Sequence, residues 1–254
     1  YCGAGTGRWA GKGVQIHNFP ARNLIVKDFD EAAEIIKSRD LDWIVAMYGD
    51  VMKLLSHALR GAIISPEGKD LIVADYAAIE ARVVLWLAGA DKALEVFERG
   101  EDIYCDMASS IYRRDIVKGR DPVERQFGKQ AVLGLGYGMG YITFLLTCRR
   151  YKIHFSVRQA REIMGGWSFA KYMGIVRKKL DLQPDPEKPV NLQAHADRAR
   201  LRDAREDLEE IWHELALMQY TVDVYRKRYP EVKRMWKNQE VMALMVTQAS
   251  ARGK

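Results

Sequence analysis

The sequence predicts an α/β chain of the α+β kind, mostly helical, with a partial antiparallel sheet confined to its first third. Three observations carry that expectation. Two apolar runs, Ala62-Ile63-Ile64 and Leu71-Ile72-Val73-Ala74, flank the turn signal Ser65-Pro66-Glu67-Gly68, which is a hairpin pattern. The second run is continuous rather than alternating, as for a strand buried on both faces. Beyond residue 76 nearly every segment reads as helix, and 254 residues suffice for one large domain or two modest ones. The expected division is 1–90, which holds the sheet, and 91–254, which is helical.

Taken in order, residues 1–23 are rich in Gly, Asn and Pro and read as loop and extended chain. From Asp28 the pattern turns helical, with Asp30 as candidate cap and Ala33, Ile36, Trp43, Val45 and Met47 as apolar positions up to Gly49. A second helix is expected from Asp50 to about Leu59. After the hairpin and Asp75-Tyr76, a helix over Ala77–Ala88 stops at Gly89. Ala93–Arg99 ends at Gly100, and Ile103–Tyr112 comes next. Asp121-Pro122-Val123-Glu124 then places a capping Asp, a Pro at the first helical position and a Glu at the third, opening a helix over 121–138. Residues 181–191, with Pro184, Pro186 and Pro189, read as a polar loop. Dense alternating charge from Asp197 to Glu214 predicts an exposed helix, and 215–250 a further helix interrupted at Pro230.

Composition narrows the function classes. At 48% apolar and 29% charged the chain is globular rather than disordered. No apolar run approaches the roughly 18 residues of a membrane span, so no membrane partner is expected. Cys2, Cys105 and Cys148 lie far apart without a CxxC, which argues against a disulfide framework or a zinc site and for a reducing, cytoplasmic setting. The start, Tyr1-Cys2-Gly3, has neither an initiator Met nor signal-peptide features and reads as cut from something longer. A formal charge of +6 admits a polyanionic partner. Basic residues bunch at Arg149-Arg150-Tyr151-Lys152, at Arg177-Lys178-Lys179 and from Arg226 to Lys237, where solvated helix faces are the plain alternative.

Two constellations carry chemistry. Asp75 stands at the end of an apolar run, with Glu80 one helical turn further along the chain. A carboxylate aimed from a strand end suits a hard cation such as Mg²⁺, although Asp at such a place also serves as a helix cap. Arg125, Lys129, Leu133 and Tyr137 recur every four residues, each offset by about 40°, along one slowly turning stripe. The stripe puts two cations at one end and an aromatic at the other, roughly 18 Å away. A nucleoside triphosphate needs that order, charge for phosphates and a flat apolar surface for its base. An amphipathic helix with solvated basic residues is the alternative. Against it stand Gly128, Gly134, Gly136, Gly138 and Gly140, each costing about 1 kcal/mol in a helix interior. Close approach of a ligand or of backbone explains them better, and the helix is expected to bend or end near Gly138.

Asp75-Tyr76-Ala77-Ala78-Ile79-Glu80-Ala81-Arg82, followed by Gly100-Glu101-Asp102-Ile103-Tyr104, resembles the first catalytic motif of family A DNA polymerases, the bacterial polymerase I type. Arg125-x3-Lys129-x3-Leu133-x3-Tyr137-Gly138 is similar to the second, and Thr6-Gly7-Arg8 with Asn18-Phe19-Pro20-Ala21-Arg22 to the primer-contact stretch. The form Thr-Gly-Arg-Trp-Ala-Gly-Lys-Gly looks most like phage and prophage members. The resemblance implies the first half of a palm, with its antiparallel sheet, and helical fingers. It implies nucleotidyl transfer from a dNTP to a primer 3′-hydroxyl by a two-metal mechanism with Mg²⁺, in the cytoplasm of a bacterial or phage-infected cell. Asp75 then binds both metals, and Tyr76 joins the dNTP site. Glu80 walls off the sugar 2′ position. Lys129 takes the α-phosphate, Arg125 the outer phosphates, and Tyr137 the base-pair site. Leu133 stands where the family has an aromatic, and Tyr104 where it has His. Arg8, Gln15, Asn18 and Gly138 become DNA contacts, and Tyr225-x3-Tyr229-Pro230 resembles late finger sequence. The third motif, His-Asp-Glu, is absent after Tyr137, and Trp212-His213-Glu214 is no substitute. The chain is therefore expected to be a fragment, inactive alone, whose partners are primer-template DNA, dNTP and the remaining palm and thumb. Two other readings stay open: a non-catalytic nucleic-acid-binding module, and a single-subunit RNA polymerase, whose relatives carry a small residue in the slot of Glu80.

Overall fold

The computed structural model of the chain describes residues 2–3, 9–10, 13–20, 24–180, 192–203 and 208–252. They fall into two compact units, Tyr1–Asp75 and Tyr76–Lys254. No helix among the described residues is long and apolar enough to cross a membrane.

In the first unit, strands β1 (Cys2–Gly3) and β2 (Trp9–Ala10) form an antiparallel ladder pairing Cys2 with Ala10 and Gly3 with Trp9. Three short helices come after it: α1 (Phe29–Ser38), α2 (Leu41–Tyr48) and α3 (Val51–Ala58). Each begins on an aspartate. Asp28, rather than Asp30, accepts from the amides of Asp30 and Glu31, while Asp40 and Asp50 cap the next two. The helical pattern from Asp28 to Gly49 breaks in two because Arg39 turns left-handed, at φ 58°. Val26, Ala32, Ile35, Ile44 and Leu54 form the small core.

Among the described residues the expected antiparallel palm sheet is not formed. Residues 62–64 and 71–74 lie outside any strand. Ile72 is 93% and Val73 86% exposed, the reverse of a strand buried on both faces. A continuous apolar run records what a segment could bury, but strands need neighbours to pair with, and an isolated hairpin is marginal in water. Among the described residues nothing pairs with this one. The mostly helical character holds.

The second unit is built from ten helices among the described residues. They are α4 (Ile79–Ala88), α5 (Asp91–Glu98), α6 (Ile103–Tyr112), α7 (Pro122–Gly136), α8 (Tyr141–Arg150), α9 (Val157–Met164), α10 (Gly166–Lys179), α11 (Leu192–Asp203), α12 (Leu208–Arg228) and α13 (Pro230–Arg252). Phe127 anchors the core, its ring 5.6 Å from that of Phe144 and 4.9 Å from that of Phe155. The charged helix expected to be exposed over Asp197–Glu214 is mixed among its described residues: Arg200, Arg202 and Glu210 are exposed, and others are not. Asp197, Leu201, Ile211, Trp212 and Glu214 are buried, and so is every residue from Glu214 to Val222. Glu214 tolerates burial because its carboxylate accepts from the Phe155 amide at 2.7 Å and pairs with Arg149. Pro230 separates α12 from α13 as expected, since it has no amide hydrogen to continue the ladder.

Candidate functional site

Helix α7 starts where the sequence places it, with Asp121 at its N-cap and Pro122 in its first turn, but the Asp121 side chain makes no capping bond. The Asp121 carboxylate accepts instead from the Val117 amide at 3.0 Å, from Arg114 at 2.8 Å and from Arg120 at 2.9 Å. The Val117 amide first, and then Arg114, hold this carboxyl down at about 2. The loop before α7 is thereby pinned to its first residue. At Gly128 a Cβ would sit 2.3 Å from the Tyr104 carbonyl oxygen, so α7 lies backbone against backbone on α6. That glycine serves helix packing, and not a ligand. Helix α7 ends at Gly136, and Gly138 takes the positive φ of 75° that turns the chain away.

The cationic end rests on the start of α6. Asp102 caps α6 with Oδ1, which accepts from the Tyr104 and Cys105 amides, while Oδ2 accepts from Arg125 at 2.8 Å. The Tyr104 ring lies beneath both cations, 5.4 Å from the Arg125 guanidinium carbon and 5.9 Å from Lys129 Nζ. Burial, and then Asp102, raise the Tyr104 phenol, so it stays neutral. Among the described residues no carboxylate pairs with Lys129, which is half-buried.

At the aromatic end, Leu133, Gly136 and Tyr137 share one cleft with Glu80 and Val84 of α4 and with Tyr225 and Tyr229. The structure therefore brings Glu80, Leu133 and Tyr137 together. The Tyr225 and Tyr229 rings pack edge to face, 5.0 Å apart, and burial pushes the Tyr229 phenol up to about 12. Helix α13 closes the end of α7, with Trp236 Nε1 donating to the Gly136 carbonyl at 2.7 Å. Trp236 and Met235 also line a neighbouring cleft with Ile79, Glu80 and Tyr137.

Asp75, the last residue of the first unit, is exposed and lies outside any strand. It does not cap α4, whose N-cap is Ala78, held left-handed at φ 51° at a cost of roughly 1–2 kcal/mol for a non-glycine residue. Arg82 secures that turn by donating from Nε to the Ala77 carbonyl at 2.9 Å while its guanidinium lies 4.1 Å over the Phe97 ring. Tyr76 is 79% exposed. Asp75 offers the hard oxygen that Mg²⁺ prefers, but among the described residues no three acidic, His or Cys side chains gather to hold a metal. Gln15 and Asn18 are exposed and bonded to each other, Nδ2 to Oε1, at 2.5 Å. Arg8 lies outside the described residues.

Sequence reasoning gave no role to Asp102, Arg82 or Trp236. Asp102 could have been found as a capping aspartate two residues after Gly100, and Arg82 closes the motif that begins at Asp75; nothing local marks Trp236.

Residues 4–179 match DNA polymerase family A. The DNA polymerase of Bacillus phage SP02 is 41% identical over 143 residues, which are 55% of this chain and 22% of that protein. A thermostable DNA polymerase I of Thermus thermophilus is 36% identical over 85 residues, 34% of this chain and 10% of that protein. DNA polymerase I of Mycobacterium bovis is 28% identical over 118 residues, 46% of this chain and 12% of that protein. No solved structure matches. The chain thus spans between 10% and 22% of the length of these relatives. With the match running through the Asp75 segment, α4, α6 and all of α7, the chain belongs to DNA polymerase family A.

Proposed function

We propose that this chain is the nucleotide-gripping part of a template-directed DNA polymerase, which transfers a nucleotidyl group from a dNTP to a primer 3′-hydroxyl. The observation that carries this reading is the order of groups on α7: Arg125 and Lys129 at one end, Leu133 and Tyr137 facing Glu80 at the other. A dNTP laid along that stripe sets its phosphates against the cations, its sugar edge toward Glu80 and its base against Tyr137. Lys129 neutralises charge growing on the α-phosphate as the new bond forms, and Arg125 holds the outer phosphates from its fixed seat on Asp102. Glu80 excludes a ribonucleotide because a 2′-hydroxyl in its slot clashes or loses solvation.

Asp75 is the proposed metal ligand, with Tyr76 beside it in sequence contributing to the dNTP site. When bound, two Mg²⁺ ions would activate the primer hydroxyl and steady the leaving pyrophosphate. The partner carboxylate belongs to the His-Asp-Glu motif, which these 254 residues lack, so the chain alone does not turn over. Arg8, Gln15, Asn18 and Gly138 are read as primer-template contacts, and the cytoplasm of a bacterial or phage-infected cell as the setting.

The test is Asp75→Asn in a polymerase completed with the missing motif. Extension should vanish while primer-template affinity is retained. Substantial extension by that variant would remove Asp75 from the metal site.

A further inference from the structure

Helix α10 has a second cationic face, which the nucleotide site does not use. At 100° per residue Trp167, Lys171, Gly174 and Lys178 fall within about 60° of one another, opposite Phe169, Val176 and Leu180. Those three are buried, so the first four point to solvent. Trp167 stands on that outer face at the start of α10, 76% exposed. A solvated helix face has no use for the largest aromatic side chain, which gains by being covered. Lys171 stands 5.1 Å over its ring. Lys178 continues the positive charge on this face while Arg177 points aside, its guanidinium 5.9 Å from the Trp212 ring, and α10 contains no Asp or Glu. Arg113 comes within 3.5 Å of Ser168 Oγ, adding a cation at the Trp167 end. Gly174 interrupts the face at a cost of about 1 kcal/mol relative to Ala. A Cβ there would meet nothing within 4 Å, so packing does not require the glycine, and the backbone lies open to close approach.

We propose that the outer face of α10 binds single-stranded DNA, with a base stacked on Trp167 and the phosphates running along Lys171 and Lys178. An exposed aromatic supplies stacking that any base satisfies, and a run of cations without acids supplies the complementary charge. A membrane surface fits less well, because an interfacial helix needs an apolar face to immerse, and the apolar face of α10 is already spent on the core. The proposal rests on the polymerase reading only for why a strand should be present. Binding here needs neither nucleotide nor metal, so the two can fail separately.

The experiment is fluorescence anisotropy of a labelled 16-nucleotide oligo-dT with the full chain in EDTA. Trp167→Ala should weaken binding by about 5- to 150-fold, the span of measured base–aromatic stacking, while Trp167→Phe keeps most of the affinity. On an abasic strand of equal length, with the same phosphates, Trp167→Ala should bind like the unaltered chain. Removing both Lys171 and Lys178 should flatten the salt dependence by about 1.4 in log–log slope, near 0.7 for each phosphate no longer neutralised. Unchanged affinity in Trp167→Ala would overturn the proposal. So would an equal loss on the abasic strand, or tighter binding to anionic lipid vesicles than to the oligonucleotide.

Discussion

Helices α7 and α10 each present cations and one aromatic on a single face, yet they differ in what surrounds them. On α7, Arg125 is gripped by Asp102, the Tyr104 ring lies under both cations, and α4 with Tyr225 and Tyr229 walls the aromatic end. On α10 no acid answers the cations within the helix, and Trp167 opens to solvent. Enclosure selects a ligand of fixed length whose parts come in one order. An open track suits a polymer whose charges repeat. Counting cations would make the two helices alike, whereas their neighbours make them different devices.

The largest effect that separates them should come from Lys129. In a completed polymerase, Lys129→Ala should lower nucleotide incorporation by about 10²–10³, the usual loss when a preorganised charge facing the transition state is removed. The same substitution should leave oligo-dT anisotropy unchanged. Equal damage to both would mean that α7 and α10 form one continuous strand-binding surface, and the contrast would collapse.

A smaller effect concerns Glu80, which lines the α7 cleft. Leaving one polar group unsatisfied costs about 1–3 kcal/mol, or roughly 5- to 150-fold. Glu80→Ala should therefore raise ribonucleotide use relative to deoxynucleotide use by that order, even if both slow. Steady-state incorporation of matched rNTP and dNTP measures the ratio. An unchanged ratio would place the sugar gate elsewhere and reopen the RNA-polymerase reading.

How much of this could be read from sequence depends on the range of each interaction. The stripe of Arg125, Lys129, Leu133 and Tyr137 needs only helical period and a local stop, and it stands on α7 with the turn at Gly138. The helix break at Gly89 and the cap at Asp50 are equally local. What sequence missed depends on crossings between elements. Asp102 matters because α6 and α7 touch at Gly128, and Trp236 because α13 returns over the end of α7. Hydropathy misled in both directions for the same reason. Leu71–Ala74 is apolar and exposed because nothing among the described residues pairs with it. Glu214 is charged and buried because Arg149 and the Phe155 amide meet it. Trp167 drew no notice in the sequence, since a tryptophan is informative only once its face is known to be outward.

The smallest predicted effect tests how α7 is anchored, a restraint with no counterpart named on α10. Asp121 binds the Val117 amide, Arg114 and Arg120, and its carboxyl is held at about 2. An unfolded aspartate titrates near 3.9, so the folded state favours the ionised form. The stabilisation is then complete above about pH 4 and is lost as pH falls toward about 2. Asp121→Asn keeps an acceptor for the Val117 amide but removes the charge that Arg114 and Arg120 meet. At pH 7 the variant should therefore unfold at lower urea than the unaltered chain. As pH drops below about 4 the two midpoints should draw together, because the native carboxyl is itself being protonated. Urea midpoints at pH 7 and at the lowest pH where both chains fold would measure this. A gap that stays constant, or widens in acid, would mean that Asp121 acts through its shape and its bond to Val117, and that charge plays no part in seating the nucleotide-gripping helix.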